Sequence, residues 1–132
     1  MTEHDLATLL RALRVTRRPG AWCMVSGLEL PGDVEVQASI VEREGTTSVI
    51  STADASRLGI TPAFVMAWLT LDVNSALDAV GLTAAVATAL AENGLACNVL
   101  AAFHHDHLLV SFDEQDRAVE VLQGLSEQAN SP

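Results

Sequence analysis

Residues 71–89 read LDVNSALDAVGLTAAVATA, and the fold turns on how this stretch is parsed. It begins as the end of an apolar run, from Ala63 to Val73, that holds Phe64, Val65, Met66, Trp68, Leu69 and Leu71. Such a run is expected of a central strand covered on at least one face. A polar loop with Asn74, Ser75 and Asp78 follows, and Val80-Gly81-Leu82-Thr83 opens a helix. In that helix Leu82, Ala85, Val86, Ala89 and Leu90 recur at i, i+3, i+4, i+7 and i+8, and Asn93-Gly94 stops it. The opposite face, Thr83, Ala84, Ala87, Thr88 and Ala91, is small and uncharged where a solvated face normally carries Lys and Glu. A cover is therefore expected there, either a second helix or a second subunit.

Downstream, Ala96–Phe103 and His107–Phe112 read as strands of a hairpin turning through His104, His105 and Asp106. Asp113 is placed to cap a last helix, in which Ala118, Val121, Leu122 and Leu125 share one face and Glu114 and Asp116 complement the dipole of the first turn. Upstream, Leu6, Leu9, Leu10 and Leu13 mark a short amphipathic helix, with Thr2 and Asp5 spaced like a capping box. Arg17-Arg18-Pro19-Gly20 reads as its break. Ala21–Leu30 and Val34–Glu42, on either side of Pro31-Gly32, read as two strands of a hairpin. Thr46–Ser51 is a third strand, and Thr52 caps a helix from Ala53 to Leu58 that Gly59 ends. The second half is thus β-α-β-β-α, a ferredoxin-like unit short of one strand, and the first half is β-β-β-α. An α+β fold follows, made of two related units, residues 1–62 and 63–132, that exchange strands to complete their antiparallel sheets.

Composition narrows the function. The 132 residues are 49% hydrophobic and 18% charged, which suits one packed domain and excludes disorder. The longest apolar run, Pro62–Leu69, falls short of the roughly 18 residues of a membrane span. The N-terminal residues lack the apolar core of a secretory signal, so a cytoplasmic location is expected. Cys23 and Cys97, set among apolar residues without CxxC spacing, read as buried free thiols. Net charge is −10, divided into +2 over residues 1–18 and −12 over the remainder, and lysine is absent. Such a surface repels phosphate backbones, so neither nucleic acid nor an anionic membrane is an expected partner.

Two places can carry chemistry. At Gly81 the unpaired N–H groups of the first helical turn, at the positive end of the helix dipole, suit a carboxylate or phosphate. The bland alternative is a β-to-α turn capped internally by Ser75 or Asp78. Asp78 at the mouth disfavours a phosphate dianion and favours the ammonium of a zwitterion. The second place is FHHDHLLV, residues 103–110. Its His and Asp residues suit a divalent metal, yet on an extended chain His105 and His107 point away from His104 and Asp106. A plain hairpin turn, a ligand-contacting histidine and a metal site all remain open for it. EGTT, residues 44–47, reads as a hairpin turn or as a second ligand loop. No nucleotide-binding, metalloprotease or nucleophile-elbow motif is present, and neither cysteine has a basic neighbour that would activate it.

Residues 75–110, SALDAVGLTAAVATALAENGLACNVLAAFHHDHLLV, closely resemble the signature of small bacterial proteins built from two ACT-like units, an ACT-domain family long carried as a domain of unknown function. A Ser-rich loop, an AVGLTA helix start, an NV-containing strand and an HDH hairpin recur there in this order, and EGTTSVIS resembles its EG-T strand. The resemblance spans roughly residues 5–125. Asn74-Ser75-Ala76 departs from it, standing where two serines and a bulky apolar residue are usual. The resemblance implies tandem ACT-like units with helices on one face of the sheet, and a regulatory module that binds an amino acid or related metabolite at the first strand-to-helix loop. Carried over, it implicates Ser75, Asp78, Val80, Gly81, Leu82 and Asn98, with His104 and His105 as neighbours. On this reading the N–H groups from Gly81 to Thr83 would meet the ligand carboxylate, and Asp78 or a carbonyl near Asn98 its ammonium. Neither a catalytic residue nor a cofactor is implied, and a homodimer is. The rivals are a metal-binding protein using His104, His105, Asp106 and His107, and an interaction module with a vestigial ligand loop.

Overall fold

The computed structural model describes residues 5–76 and 78–132. Its elements are α1 (Leu6–Ala12), β1 (Val15–Ser26), β2 (Ala38–Glu42), β3 (Gly45–Ser51), α2 (Thr52–Arg57), β4 (Met66–Leu71), α3 (Leu82–Glu92), β5 (Cys97–Ala101), β6 (Asp106–Ser111) and α4 (Gln115–Ala129). The six strands form one antiparallel sheet in the order β2-β3-β1-β4-β6-β5. Each half contributes its strands in the same spatial order, second, third, first. The two first strands, β1 and β4, meet at the centre, so each occupies the fourth-strand position of the other half's set.

Alternation along β4 assigns the two faces of the sheet. Ala67, Leu69 and Leu71, with Leu108 and Val110 of β6, lie beneath Leu9 of α1, Leu82, Val86 and Leu90 of α3, and Ala118 and Leu122 of α4. All these side chains are buried, and each large one contributes about 1.5–3 kcal/mol. Cys23, Val25 and Ile50 continue the same face under Ala55 of α2. All four helices therefore cover one side. On the other side Trp22, Val49, Met66, Trp68 and Leu109 make a smaller apolar cluster, and among the described residues no helix lies over it. Between these two layers β4 is covered on both faces, which is why its sequence barely alternates in polarity.

Several sequence expectations are corrected. The strand predicted at Ala21–Leu30 starts at Val15 and passes through Arg17-Arg18-Pro19-Gly20. Proline cannot donate to the ladder, and the register shifts between Arg18 and Trp22, so a bulge with Gly20 at φ +103° absorbs the expected break. The hairpin of Ala21–Leu30 with Val34–Glu42 does not form. Residues 34–37 are not strand, β2 begins at Ala38, and β3 lies between β2 and β1. Ser51 rather than Thr52 caps α2, its side chain accepting from the Asp54 N–H at 3.0 Å. Asp113 does not cap α4: Phe112–Glu114 form a 3-10 turn ahead of it. Asp5 itself caps α1, accepting from the Thr8 N–H at 3.0 Å, while Thr2 lies outside the described residues. Glu42 pairs with Gly45 at the β2–β3 turn, so EGTT is a hairpin turn. It adjoins Gly27 and not the Gly81 loop. Neither α1 nor α4 covers Thr83, Ala84, Thr88 and Ala91, which remain exposed on the chain alone.

Candidate functional site

Strand register builds the site. β6 pairs with β4 so that Asp106 stands opposite Leu71, at the end where β4 hands over to the loop before α3. The β5–β6 turn, closed by an Ala102 N–H to His105 carbonyl bond of 3.1 Å, therefore overhangs that loop. Between them lies a cleft of about 140 Å³, enough for a few waters or a small amino acid. Ser75, Gly81, Leu82 and Thr83 line one side, and His104, His105 and Asp106 the other. Small residues, Ala76, Ala79, Ala101 and Ala102, fill the remaining wall.

Gly81 is the N-cap of α3, at φ +107° and ψ −20°, and as a glycine it brings no capping side chain of its own to this helix. The first turn of α3 stands beside the cleft, where the helix dipole favours an anion. Gly81 itself is required by the chain. Its φ lies where L residues are strained, and a Cβ there would stand 3.0 Å from Leu6 Cδ2. The added carbon would meet α1, so the glycine serves the backbone turn and the helix packing, and not only a ligand's approach. His105 Nε2 lies 3.7 Å from Asp72 Oδ1 across the mouth of the loop.

Of the nine residues singled out from sequence, the cleft gathers six: Ser75, Gly81, Leu82, Thr83, His104 and His105. The other three do not line it. Asp78 is exposed outside it, Val80 is 83% exposed, and Asn98 of β5 pairs with Leu109 of β6. Since Leu109 belongs to the helix-free cluster, Asn98 shares that far side of the sheet. Asp106 is the lining carboxylate that sequence reasoning left out of the ligand set. Only the β4–β6 register brings it there, and pairing between strands some 35 residues apart has no local signal.

The His-His-Asp-His stretch divides between two places. His105 borders the cleft, whereas His107 faces the helix-free side, its Nδ1 accepting from Trp68 Nε1 at 3.2 Å and lying 2.9 Å from Thr70 Oγ1. Because indole only donates, Nδ1 is unprotonated and the neutral ring carries its proton on Nε2. Burial holds the His107 pKa below the ordinary 6.5, and Arg18 and His105 lower it further while Asp106 opposes them. Among the described residues no group of three or more His, Cys, Asp or Glu is placed to hold a metal ion. Cys23 and Cys97 are free thiols, and burial raises the pKa of both. Among the described residues no helix is long and apolar enough to cross a membrane.

Models of the ACT domain match residues 1–67 and residues 64–124. Among solved structures, a protein of unknown function from Vibrio cholerae, described as a possible transport protein, is 32% identical with a TM-score of 0.82, covering 92% of this chain and 95% of that one. A protein from Agrobacterium tumefaciens has a TM-score of 0.61 at 18% identity, covering 86% and 89%. The regulatory subunit of aspartate kinase from Thermus thermophilus, in its ligand-free form, has a TM-score of 0.58 at 10% identity, covering 89% and 97%. These last two share the fold. No functionally curated protein matches. The two domain matches run through both halves of the sheet and take in the cleft between β4 and α3, so the chain belongs to the ACT-domain family.

Proposed function

We propose that this protein is a non-catalytic regulatory module that binds a small amino acid, or a closely related metabolite, in the cleft between Gly81 and the β5–β6 turn. The observation that carries the reading is the pairing of opposite charge preferences across one small space. The glycine-led start of α3 suits a carboxylate, and Asp106 stands on the facing wall, where an ammonium would be met. Asp106 takes the role first considered for Asp78 or a carbonyl near Asn98. Charge-assisted hydrogen bonds contribute about 1.5–3 kcal/mol each, and three or four of them, less ordering costs, give affinity in the micromolar range, about 8 kcal/mol. A 140 Å³ space favours small side chains. The regulatory half of the reading is supported by family membership and by likeness of fold to a regulatory subunit.

The module acts as a homodimer on this reading, with the small uncharged face of α3 as the contact. Two unpaired thiols suit a reducing, cytoplasmic location. Calorimetric titration with the common amino acids tests the proposal. One of them binds at micromolar concentration, and Asp106→Asn weakens it about tenfold, consistent with loss of a charge-assisted bond. Absence of binding or of thermal stabilisation with any of them, each at millimolar concentration, would remove the sensor reading and leave an interaction module.

A further inference from the structure

The helix-free face carries a second, larger concavity of about 350 Å³, separate from the Gly81 cleft except where Ala101 and Ala102 border both. Its floor is Trp68, only 3% exposed, and the Arg18 guanidinium lies over that ring at 3.9 Å from the centroid. Arg18 Nη1 donates to the neutral amide oxygen of Gln37 at 2.8 Å. Among the described residues no carboxylate forms an ion pair with Arg18, although the chain carries seventeen acidic residues and a net charge of −10. Arg17, its neighbour in sequence, is paired with Asp116. A half-buried arginine held by an aromatic face and an amide keeps most of its planar donor fork for an incoming anion. His107 also borders the groove, and with its Nδ1 accepting from Trp68 it is left with an Nε2–H to donate. Apart from Ser39 the remaining walls are apolar, chiefly Ile40 and Leu100, and among the described residues no acidic one lines the groove.

We propose that this groove is a second binding site, for a carboxylate with a branched aliphatic or aromatic tail and no α-ammonium group. The charge pattern sets it apart from the first cleft. Arginine supplies the anion's partner, the apolar walls take the tail, and an ammonium would find no carboxylate and would face the guanidinium. Amino acids are therefore excluded from the groove by the same chemistry that admits the corresponding carboxylic and 2-oxo acids. Neither the residues nor the test depend on occupancy of the Gly81 cleft.

The two tryptophans of the chain, Trp22 and Trp68, stack edge to face at 5.7 Å beside this groove, and neither lines the cleft, so intrinsic fluorescence reads this site. Three probes with the same tail are titrated: 4-methylpentanoate, its neutral amide, and leucine. The carboxylate produces a saturable fluorescence change, and the amide and leucine act at least tenfold more weakly. Arg18→Gln weakens the carboxylate at least tenfold, with the fold verified by circular dichroism. Ile40 lies on edge strand β2 and is 54% exposed, so Ile40→Glu tests the same charge requirement in a variant that keeps the core intact, and it abolishes the response. Equal responses to the carboxylate, amide and leucine, undiminished binding in folded Arg18→Gln or Ile40→Glu, or no saturable change with 4-methylpentanoate would overturn the proposal.

Discussion

Thr83→Glu separates the two roles that the start of α3 is asked to play, because the substitution should move stability and binding in opposite directions. Thr83 is the second residue of α3, is exposed, and lines the cleft at an N-terminus whose cap residue is a glycine. A glutamate there complements the helix dipole and is worth about 0.3–1 kcal/mol of stability, a rise of roughly 1–4 °C in Tm for a chain of this size. The same carboxylate would lie on the order of 5 Å from a ligand carboxylate held by the first-turn N–H groups. At an effective dielectric constant near 20 that repulsion is about 3 kcal/mol, and solvent screening at an exposed position reduces it to roughly 1–2 kcal/mol, a loss of about 5- to 30-fold in affinity. Thermal melting and calorimetric titration with the amino acid that the wild-type protein binds best measure both effects. Thr83→Gln, of the same size and without charge, stays within a few-fold of wild type in affinity. If Thr83→Glu were more stable yet bound as tightly as Thr83→Gln, no carboxylate would be seated at the helix start. If it were less stable, the dipole argument itself would fail.

Other substitutions probe neighbouring parts of the argument. Gly81→Ala places an L residue at φ +107° and a methyl group 3.0 Å from Leu6, and should cost about 2 kcal/mol in urea denaturation, with no compensation from added ligand beyond mass action. Thr88→Arg puts a long cation on the exposed small face of α3, and if the proposed dimer forms there, sedimentation should show a dimer for the wild type and a monomer for the variant. His107 has a pKa below 6.5 in the folded state, so the unfolded chain binds the proton more readily. Its contribution is therefore intact above about pH 6.5 and is lost as the pH falls below that value towards the depressed folded-state pKa. His107→Gln should flatten that part of the stability profile, as measured by Tm between pH 7 and 5. An unaltered slope would show that other groups govern it.

What could be read from the residues alone was whatever depends on neighbours a few positions apart. The α3 pattern of Leu82, Val86 and Leu90 and the stop at Asn93-Gly94 are local, and they emerge in place because a helix satisfies its own backbone. Strand identity was similarly accessible, since the β-branched run of β3 and the apolar run of β6 need no knowledge of a partner. Partnership was not. Nothing in Val34–Glu42 states that β3 rather than β1 will pair with it, and nothing in Pro19-Gly20 distinguishes a chain break from a bulge inside a long strand. The same limit divides the two candidate sites. Ser75, Gly81, Leu82 and Thr83 cluster on the cleft because they are close in sequence, and the resemblance of residues 75–110 to ACT proteins marks them further. Asp106 reaches the cleft only through its register with Leu71, and Arg18 reaches Trp68 only because β1 and β4 are adjacent at the centre of the sheet. That adjacency is what the exchange of first strands creates. Each half lends the other its fourth strand, and with it a side chain: the arginine from β1 lies on the indole from β4, so the groove on the helix-free face exists only when both halves are folded together. Binding at the groove, measured through Trp68, therefore stabilises the union of the two halves, and a ligand there should raise the stability of the whole sheet and not of one unit alone.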